Sequence, residues 1–235
     1  HTAIAMDSLS YPQIAYRWDT FTVGERQLFG FLNGTGWHLN DPSEGGTGST
    51  TGEYADIALD SGDNVYISSF SDRLFGDECV VIVYEYAGVW DLEEVECGAN
   101  DDFGKWTSIA IDGSDNIYVS YYGNDTLNLA YGFPGSGWQH TVLDNNGIPG
   151  MHTNMTLNSL DRPYIVYHEA TGNDLKIVYD LPAPTVIAVN PDNGLNTGPA
   201  DDVEITGTSF HPATTGLLEN PDTGAQIARP NLTLT

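Results

Sequence analysis

The chain has 235 residues, of which 40% are apolar, and it contains 26 glycines and 13 tyrosines. Its 33 acidic residues outnumber the seven basic ones, which gives a formal net charge of −26. The length allows one large domain or two modest ones. The charge argues against nucleic acid and anionic membranes as partners, and no apolar run reaches the roughly 20 residues of a membrane-spanning helix. An acidic surface of this kind fits a saline or calcium-rich extracellular setting.

Four copies of one pattern occupy most of the sequence. In each copy a short apolar strand ends at an Asp or Asn, here called the anchor, and a second apolar strand follows at a constant distance. The anchors are Asp7, Asp60, Asp112 and Asn158. A third apolar strand follows in every copy, and a Trp opens a fourth strand in the first three copies. The fourth copy lacks this Trp strand.

Four short strands in about 50 residues is the length of one propeller blade. We therefore predict an all-β fold, with four-stranded blades over residues 1–180 in units that start near residues 2, 55, 107 and 153. The pattern resembles the loosely defined β-propeller repeats of secreted bacterial or archaeal surface proteins. That resemblance covers the whole repeat region and implies no single function.

The composition of the sequence changes after the repeats. Residues 181–184 read Leu-Pro-Ala-Pro, which predicts a short stiff linker. The residues that carry a further likeness are Pro191, Asn193, Gly194, Val203, Ile205, Gly207 and Phe210. With them, residues 185–235 resemble the start of an IPT/TIG domain, which implies an immunoglobulin-like β-sandwich that is only partly present.

Both parts of the chain look cut short, because the repeats end without their last strand and the sandwich has too few residues. Two explanations stay open. We favour a segment of a larger polypeptide. The alternative is that neighbouring subunits supply strands to open edges, with residues 231–235, NLTLT, as a donated strand.

The loops after the second and third anchors pose a choice between a metal site and a structural turn. Asp60 and Asp63, like Asp112 and Asp115, offer the several oxygen ligands that calcium prefers on a loop. The first and fourth loops have lost most of their acidic groups. We therefore favour turns held by side-chain hydrogen bonds, with calcium as the alternative cofactor.

The two cysteines predict a disulfide. Cys79 begins a third strand and Cys97 ends the fourth strand of the same unit. A hairpin symmetric about Gly88 places them opposite each other, within the separation that a disulfide requires. A bridge implies an oxidising compartment and hence secretion. The alternative is two free thiols in a cytosolic protein.

Surface sites are predicted at two sets of residues. Asn33 and Asn124 lie in N-glycosylation sequons at predicted turns or connections. The residues proposed for a ligand-binding rim are Trp18, Asp19, Tyr121 and Tyr122. The sequence shows no nucleophile elbow, phosphate loop or HExxH motif.

These observations predict a non-enzymatic extracellular or cell-surface protein with a structural or adhesive role, including that of a subunit in a surface filament or array. Its predicted partners are further copies of itself or other surface proteins, bound through open strand edges, with no nucleic acid and no membrane insertion. The alternative is a carbohydrate-active enzyme or a carbohydrate-binding module on the same scaffold, with glycans as ligands.

Overall fold

The computed structural model describes residues 1–20, 24–42, 50–72, 77–86, 88–98 and 103–179, and the backbone of four short strands between residues 185 and 227. The chain divides into two compact units, His1–Asp180 and Leu181–Thr235. Nowhere in these described residues is there a helix with the length and hydrophobicity that a bilayer crossing requires.

In the described part of the first unit, the regular elements are all β-strands. In chain order they are β1 (Thr2–Met6), β2 (Pro12–Thr20), β3 (Gly24–Asn33), β4 (Gly36–Asn40), β5 (Thr50–Leu59), β6 (Val65–Asp72), β7 (Glu78–Tyr86), β8 (Val89–Gly98), β9 (Lys105–Ile111), β10 (Ile117–Gly123), β11 (Thr126–Phe133), β12 (Gly137–Asp144), β13 (Met151–Leu157), β14 (Pro163–Glu169) and β15 (Asp174–Tyr179). They form four antiparallel meanders in sequence order: sheet 1 (β1–β4), sheet 2 (β5–β8), sheet 3 (β9–β12) and sheet 4 (β13–β15). The predicted all-β repeats of four strands are therefore present, and sheet 4 has three strands in the described part of the chain.

Successive sheets pack face against face. We call the face toward the preceding sheet the leading face and the face toward the following sheet the trailing face. Between sheets 1 and 2, Ala15 and Phe29 of the trailing face meet Ile57, Ile67 and Val83 of the leading face. Similar cores lie between sheets 2 and 3 and between sheets 3 and 4. The inner sheets therefore bury both faces, which explains why strands such as β6 and β10 are apolar on both sides.

The first strands of the four sheets lie side by side. β1 is next to β5, β5 is next to β9, and β9 is next to β13. Three of these strands begin before the predicted unit starts near residues 55, 107 and 153, because β5 starts at Thr50, β9 at Lys105 and β13 at Met151. Their additional residues pair with the second strand through register shifts, such as those between Thr51 and Asp56, and a strand with such shifts lacks the simple alternation that marks its start in a sequence.

In the second unit, the described residues form two short antiparallel pairs. β16 (Thr185–Asn190) pairs with β17 (Glu204–Thr208), and β18 (Leu218–Glu219) pairs with β19 (Gln226–Ile227). The predicted linker 181–184, the possible donated strand 231–235 and most residues of the IPT/TIG likeness lie outside the described residues. Ile205 and Gly207 lie in β17.

Candidate functional site: the first strands and the two end faces

Each anchor holds its own turn. Asp60 Oδ1 accepts the backbone N–H groups of Gly62 and Asn64, both at 2.9 Å. The first, third and fourth anchors accept the N–H groups two and four residues ahead in the same way. Burial alone would raise the pKa of Asp112, but hydrogen bonds from Asn116 and Ser114 lower it below its usual range. The anchors therefore stabilise turns as carboxylates or, at Asn158, as an amide.

The third residue after the anchor links one sheet to the preceding one. Asp63 accepts the N–H of Ser8 at 2.9 Å and its hydroxyl at 2.5 Å. Asp115 binds Ser61 in the same way, with both distances 2.8 Å. Asp161 accepts the N–H of Gly113, the equivalent of Ser8 and Ser61 in sheet 3, at 3.3 Å. We call this series the turn ladder. It connects all four sheets at the ends of their first strands.

These linking residues share a backbone conformation as well as a partner. Asp63, Asp115 and Asp161 have φ values of 61°, 64° and 58°, in the left-handed region. Asp and Asn tolerate this region better than most residues because their short polar side chains hydrogen-bond locally. The conformation and the cross-sheet contact therefore both favour Asp at this position.

A second set of hydrogen bonds joins the middle of the first strands. The Thr107 hydroxyl donates to the carbonyl of Tyr54 at 2.6 Å and lies 3.0 Å from the Ser68 hydroxyl. One sheet later, Thr153 makes the equivalent contacts with Trp106 and Ser120, at 2.7 and 2.9 Å. Because these hydroxyls are buried, their mutual bonding removes the cost of leaving them unpaired.

The opposite ends of the first strands carry a stack of rings. One residue per sheet, six positions before the anchor, contributes His1, Tyr54, Trp106 or His152. Successive ring centroids are 4.5, 5.2 and 5.1 Å apart, within the range for interacting aromatic pairs. We call this series the aromatic stack. Since the stack and the turn ladder mark opposite ends, all four first strands run in the same direction.

A glycine two residues before the stacked ring makes the close sheet contact feasible. Gly52, Gly104 and Gly150 have φ values of 98°, 89° and 101°. A Cβ at Gly104 would lie 2.8 Å from backbone atoms of Cys79 and Val80, in the third strand of the preceding sheet. Both the conformation and this approach require glycine.

Cys79 and Cys97 form the predicted disulfide and face each other across β7 and β8. Within the described residues, one group of three side chains that could ligate a metal lies close together, namely Cys79, Glu94 and Cys97. Its two sulfurs are already bonded to each other. The carboxylates proposed for calcium, Asp60, Asp63, Asp112 and Asp115, accept the turn and cross-sheet hydrogen bonds described above, and calcium binding by them stays a prediction.

The proposed ligand-binding residues lie in two different sheets, with Trp18 and Asp19 in β2 of sheet 1 and Tyr121 and Tyr122 in β10 of sheet 3. Tyr121 is fully buried and its hydroxyl donates to Glu96, while Tyr122 is 4% exposed and donates to Asp125 at 2.7 Å. Neither ring lies at a rim, because both faces of sheet 3 are covered by neighbouring sheets. Trp18 is 47% exposed in β2, and the side chain of Asp19 lies outside the described residues.

The two sequon asparagines lie in hairpin turns. Asn33 Oδ1 accepts the N–H of Thr35 at 2.9 Å and its hydroxyl at 2.6 Å, at the turn between β3 and β4. Asn124 is exposed in the turn between β10 and β11, with a φ of 54°. Both remain predictions for glycosylation.

Carboxylates with shifted pKa values are held in the ionised form. The backbone N–H groups of Ile148, Gly172 and Thr171 all donate to Glu169, which lowers the pKa of Glu169 to about 2. Burial opposes the shift at Asp144, but a hydrogen bond from Tyr167 lowers its pKa below the usual range. Tyr66 shifts in the other direction. Its burial is the largest cause and the charge of Asp60 the second, and together they raise the pKa of Tyr66 to about 12. The groups with these shifted pKa values all take part in hydrogen bonds that stabilise the fold.

Each end of the series of sheets exposes an apolar face. On the leading face of sheet 1 the exposed residues are Ile4, Met6, Trp37 and Leu39, and on the trailing face of sheet 4 they are Val166, Leu175 and Ile177. The equivalents of Ile4 in sheets 2 to 4 are Ile57, Ile109 and Met155. These are 5 to 7% exposed, whereas Ile4 is 64% exposed. The difference follows from position alone, since only sheet 1 lacks a preceding sheet in the described chain.

Sequence reasoning missed the aromatic stack and the turn ladder. A signal for both was present. Counting from the anchors reveals a ring at position −6 in every copy, a glycine at −8 in the last three, and an Asp at +3 in the last three. What a sequence cannot show is that equivalent positions in different copies touch.

No protein-family model matches the sequence, and no curated protein matches it. Among solved structures, the chain has similarity to a fucose lectin from Kordia zhangzhouensis in complex with methyl-fucoside. The identity is 15%, the match covers 60% of this chain and 97% of the lectin chain, and the TM-score is 0.40. At these values the match assigns neither a family nor a function to the chain.

Proposed function

We propose that the chain is a non-enzymatic extracellular module with a structural or adhesive role at a cell surface. The observation that carries the proposal is that the polar side chains of the chain have structural partners. Asp63, Asp115 and Asp161 bind neighbouring sheets, and the carboxylates with shifted pKa values are stronger acids than usual. A carboxyl group that acts as a general acid or base at neutral pH needs a raised pKa, which is the opposite shift.

The finer architecture belongs to the same proposal. Four like-directed first strands lying side by side, with sheets packed face to face, are the arrangement of propeller blades around an axis. The second unit contributes the IPT/TIG-like segment, supported by the likeness of residues 185–235 and by the pairing of β16 with β17. The disulfide between Cys79 and Cys97 supports an oxidising, extracellular location. Glycans on Asn33 and Asn124 fit the same location.

The test measures turnover and binding on the same sample. The full chain is incubated with a panel of polysaccharides and glycosides, and products are measured beside adhesion of the immobilised chain to cells or envelope fragments. We expect adhesion without turnover. Turnover that is lost when a single carboxylate is replaced by its amide would contradict the proposal.

A carbohydrate-binding role is the second candidate, and the exposed indole of Trp18 favours it. Aromatic rings bind sugars through their apolar faces, and Trp18 lies beside Arg26 across β2 and β3. Glycan binding by the wild-type chain that is lost in Trp18→Ala but kept in Val142→Ala would establish this role. Val142 is the matched control because it is similarly exposed, on the distant strand β12.

A further inference from the structure

We propose that the hairpin of β7 and β8 carries a metal site that becomes available when its disulfide is reduced. In the reduced state, the thiolates of Cys79 and Cys97 and the carboxylate of Glu94 bind one soft divalent cation, of which Zn²⁺ is the representative. The disulfide is the closed state of the same site. This inference concerns the inner sheet 2 and does not depend on the structural or adhesive role proposed above.

The three ligand groups already lie close together. The two sulfurs and a carboxylate oxygen of Glu94 are all within 4.8 Å of one another, and Cys97 Sγ lies 3.7 Å from Glu94 Oε2. Residues three apart in a regular strand point to opposite faces. In β8, however, Val95 is skipped in the pairing with β7, because the register shifts between Val80 and Val81. This bulge explains why Glu94 and Cys97 meet on one face.

The chemistry of the ligands suits a soft cation and not calcium. Proteins bind Zn²⁺ through cysteine thiolates, histidine nitrogens and carboxylate oxygens in a tetrahedral arrangement. Two thiolates and one carboxylate fill three of the four positions and leave the last for water or an external ligand. Calcium and magnesium prefer sites made of oxygen. The proposed site therefore differs in its metal from the predicted calcium candidates in the turns after the anchors.

The backbone around both cysteines is held by contacts other than the disulfide. Cys79 and Cys97 face each other in a strand pairing that runs the length of β7 and β8. From sheet 3, the N–H of Phe103 donates to Glu78 Oε2 at 2.8 Å, and a Cβ at Gly104 would lie 2.8 Å from the backbone of Cys79. Reduction leaves these contacts in place, so the two thiols stay opposite each other. A site that needs little reorganisation binds its metal at a lower cost.

The two cysteines differ in exposure, which sets the direction of the reduction. Cys79 is fully buried, whereas Cys97 is exposed. A thiolate of a dithiol reductant therefore attacks Cys97 Sγ, and the disulfide breaks with Cys79 as the leaving thiolate, which takes up a proton. The second thiolate of the reductant then attacks the mixed disulfide, releases the Cys97 thiol and closes a cyclic disulfide. Two electrons and two protons have then passed from the reductant to the cysteine pair.

Metal binding leaves the formal charge of the site as it is in the disulfide state. The disulfide and Glu94 together carry one negative charge. When the metal binds, the thiol protons pass to the solvent, and a divalent ion then balances two of the three negative charges on its ligands. A chain of net charge −26 thus gains a cross-link without further self-repulsion. The other acids of β8, Asp91, Glu93 and Glu96, raise the local concentration of cations.

The test compares metal binding by the oxidised and the reduced full chain. The chain is reduced with dithiothreitol, which is then removed under anaerobic conditions because it binds metals itself, and Zn²⁺ is titrated by calorimetry. We expect one ion per reduced chain with a Kd of about 1 µM or tighter, and no binding of this strength by the oxidised chain. Co²⁺ in place of Zn²⁺ should give the absorption band of a thiolate–metal bond, which identifies sulfur as a ligand.

Variants assign the individual ligands. Glu94→Gln should weaken Zn²⁺ binding to the reduced chain at least about tenfold, because it removes one of three protein ligands. Asp91→Asn is the matched control and should bind as the wild type does. Asp91 is likewise an exposed acid of β8, but it lies near the turn of the hairpin, so both variants change the net charge equally. Cys97→Ser should lose the high-affinity binding altogether.

The fold of the reduced chain is measured on the same samples by circular dichroism. Zn²⁺ should raise the melting temperature of the reduced wild type but not that of Cys97→Ser. The proposal is overturned by a reduced wild type that binds no Zn²⁺, by equal binding to the oxidised chain, or by Glu94→Gln that binds as tightly as Asp91→Asn. Loss of β-structure on reduction alone overturns it as well, since the site requires the intact hairpin. Enzymatic turnover would overturn the proposed function without altering these titrations.

Discussion

An aspartate at the end of a strand can stabilise a fold in two ways, and the repeats use both at neighbouring positions. The anchor accepts N–H groups of its own turn, as Asp112 does from Ser114 and Asn116. The third residue after it accepts from another sheet, as Asp115 does from Ser61. The first contact is local, whereas the second joins residues 54 positions apart. Only the second type therefore contributes to how the sheets stack.

Replacing Asp115 tests the cross-sheet contact. Asp115→Ala removes both hydrogen bonds to Ser61 and places alanine at a φ of 64°, so we expect the free energy of unfolding to fall by about 1 to 2 kcal/mol. Asp115→Asn keeps an oxygen for the Ser61 N–H and tolerates the same backbone conformation. Its loss should be less than half as large. Chemical denaturation measures both, and equal losses would contradict the cross-sheet role.

The same aspartates allow the predicted alternative of a calcium site to be tested. Asp60, Asp63, Asp112 and Asp115 already accept backbone or hydroxyl hydrogen bonds, which a bound ion would have to displace. We therefore expect the melting temperature to be the same in EDTA and in excess calcium chloride, with magnesium chloride at equal ionic strength as the control. A rise specific to calcium that Asp60→Asn abolishes would establish the alternative, a calcium site on these loops.

At the scale of single elements, the carboxylate of Glu169 helps to hold the connection between β12 and β13, together with a backbone hydrogen bond from Ala170 to Ile148. Glu169, at the end of β14, accepts the N–H of Ile148 in that connection at 3.0 Å, and those of Thr171 and Gly172 in its own turn at 2.7 and 2.8 Å. Four strands of sheets 3 and 4 are therefore positioned partly through this group. Its role depends on its charge, because a protonated carboxyl group is a weaker acceptor.

The pH dependence of stability follows from this arrangement. The pKa of Glu169 is lowered from its ordinary 4.5 to about 2, so its contribution is fully present above pH 4.5 and is lost as the pH falls toward 2. We expect the free energy of unfolding of the wild type to decline over this interval, and that of Glu169→Gln to decline less. Denaturation curves at several pH values measure the difference. Parallel declines for the two proteins would contradict it.

The disulfide hairpin shows how far a sequence can be read at this scale. The predicted pair, Cys79 and Cys97, is correct, but the assumed symmetry about Gly88 holds only at the far end of the hairpin. Near the turn Tyr86 pairs with Val89, and a register shift between Val80 and Val81 brings the cysteines into line. A bulge of this kind changes the register by one residue without a clear mark in the sequence.

For the whole molecule, the repeats made the all-β fold and the order of its strands predictable, because apolar runs and anchors recur in one phase. The contacts between copies could not be predicted, since they depend on the packing of equivalent faces. Tyr121 illustrates the limit. Its position in β10 followed from the sequence, but its complete burial between sheets 2 and 3 depends on a neighbour that no local pattern specifies.

The charge of the whole chain sets the last prediction. A net charge of −26 on 235 residues repels itself, and this repulsion is stronger in the compact state than in the unfolded chain. Added salt shortens the range of the repulsion to about 3 Å at 1 M. The polar contacts of the first strands are short, and those between the hydroxyls of Thr107 and Ser68 and of Thr153 and Ser120 are also buried, so salt should weaken them far less. We therefore expect the melting temperature to rise by about 5 °C between low and high sodium chloride.

The control for this effect is a neutral osmolyte such as sucrose, which stabilises by exclusion from the surface and not by screening. With sucrose the rise should increase steadily with concentration, whereas with sodium chloride most of it should occur below about 0.2 M, where the Debye length changes most. A melting temperature that falls with salt would mean that attractive ion pairs, such as Arg17 with Glu53 at 2.7 Å, outweigh the repulsion among the acidic residues.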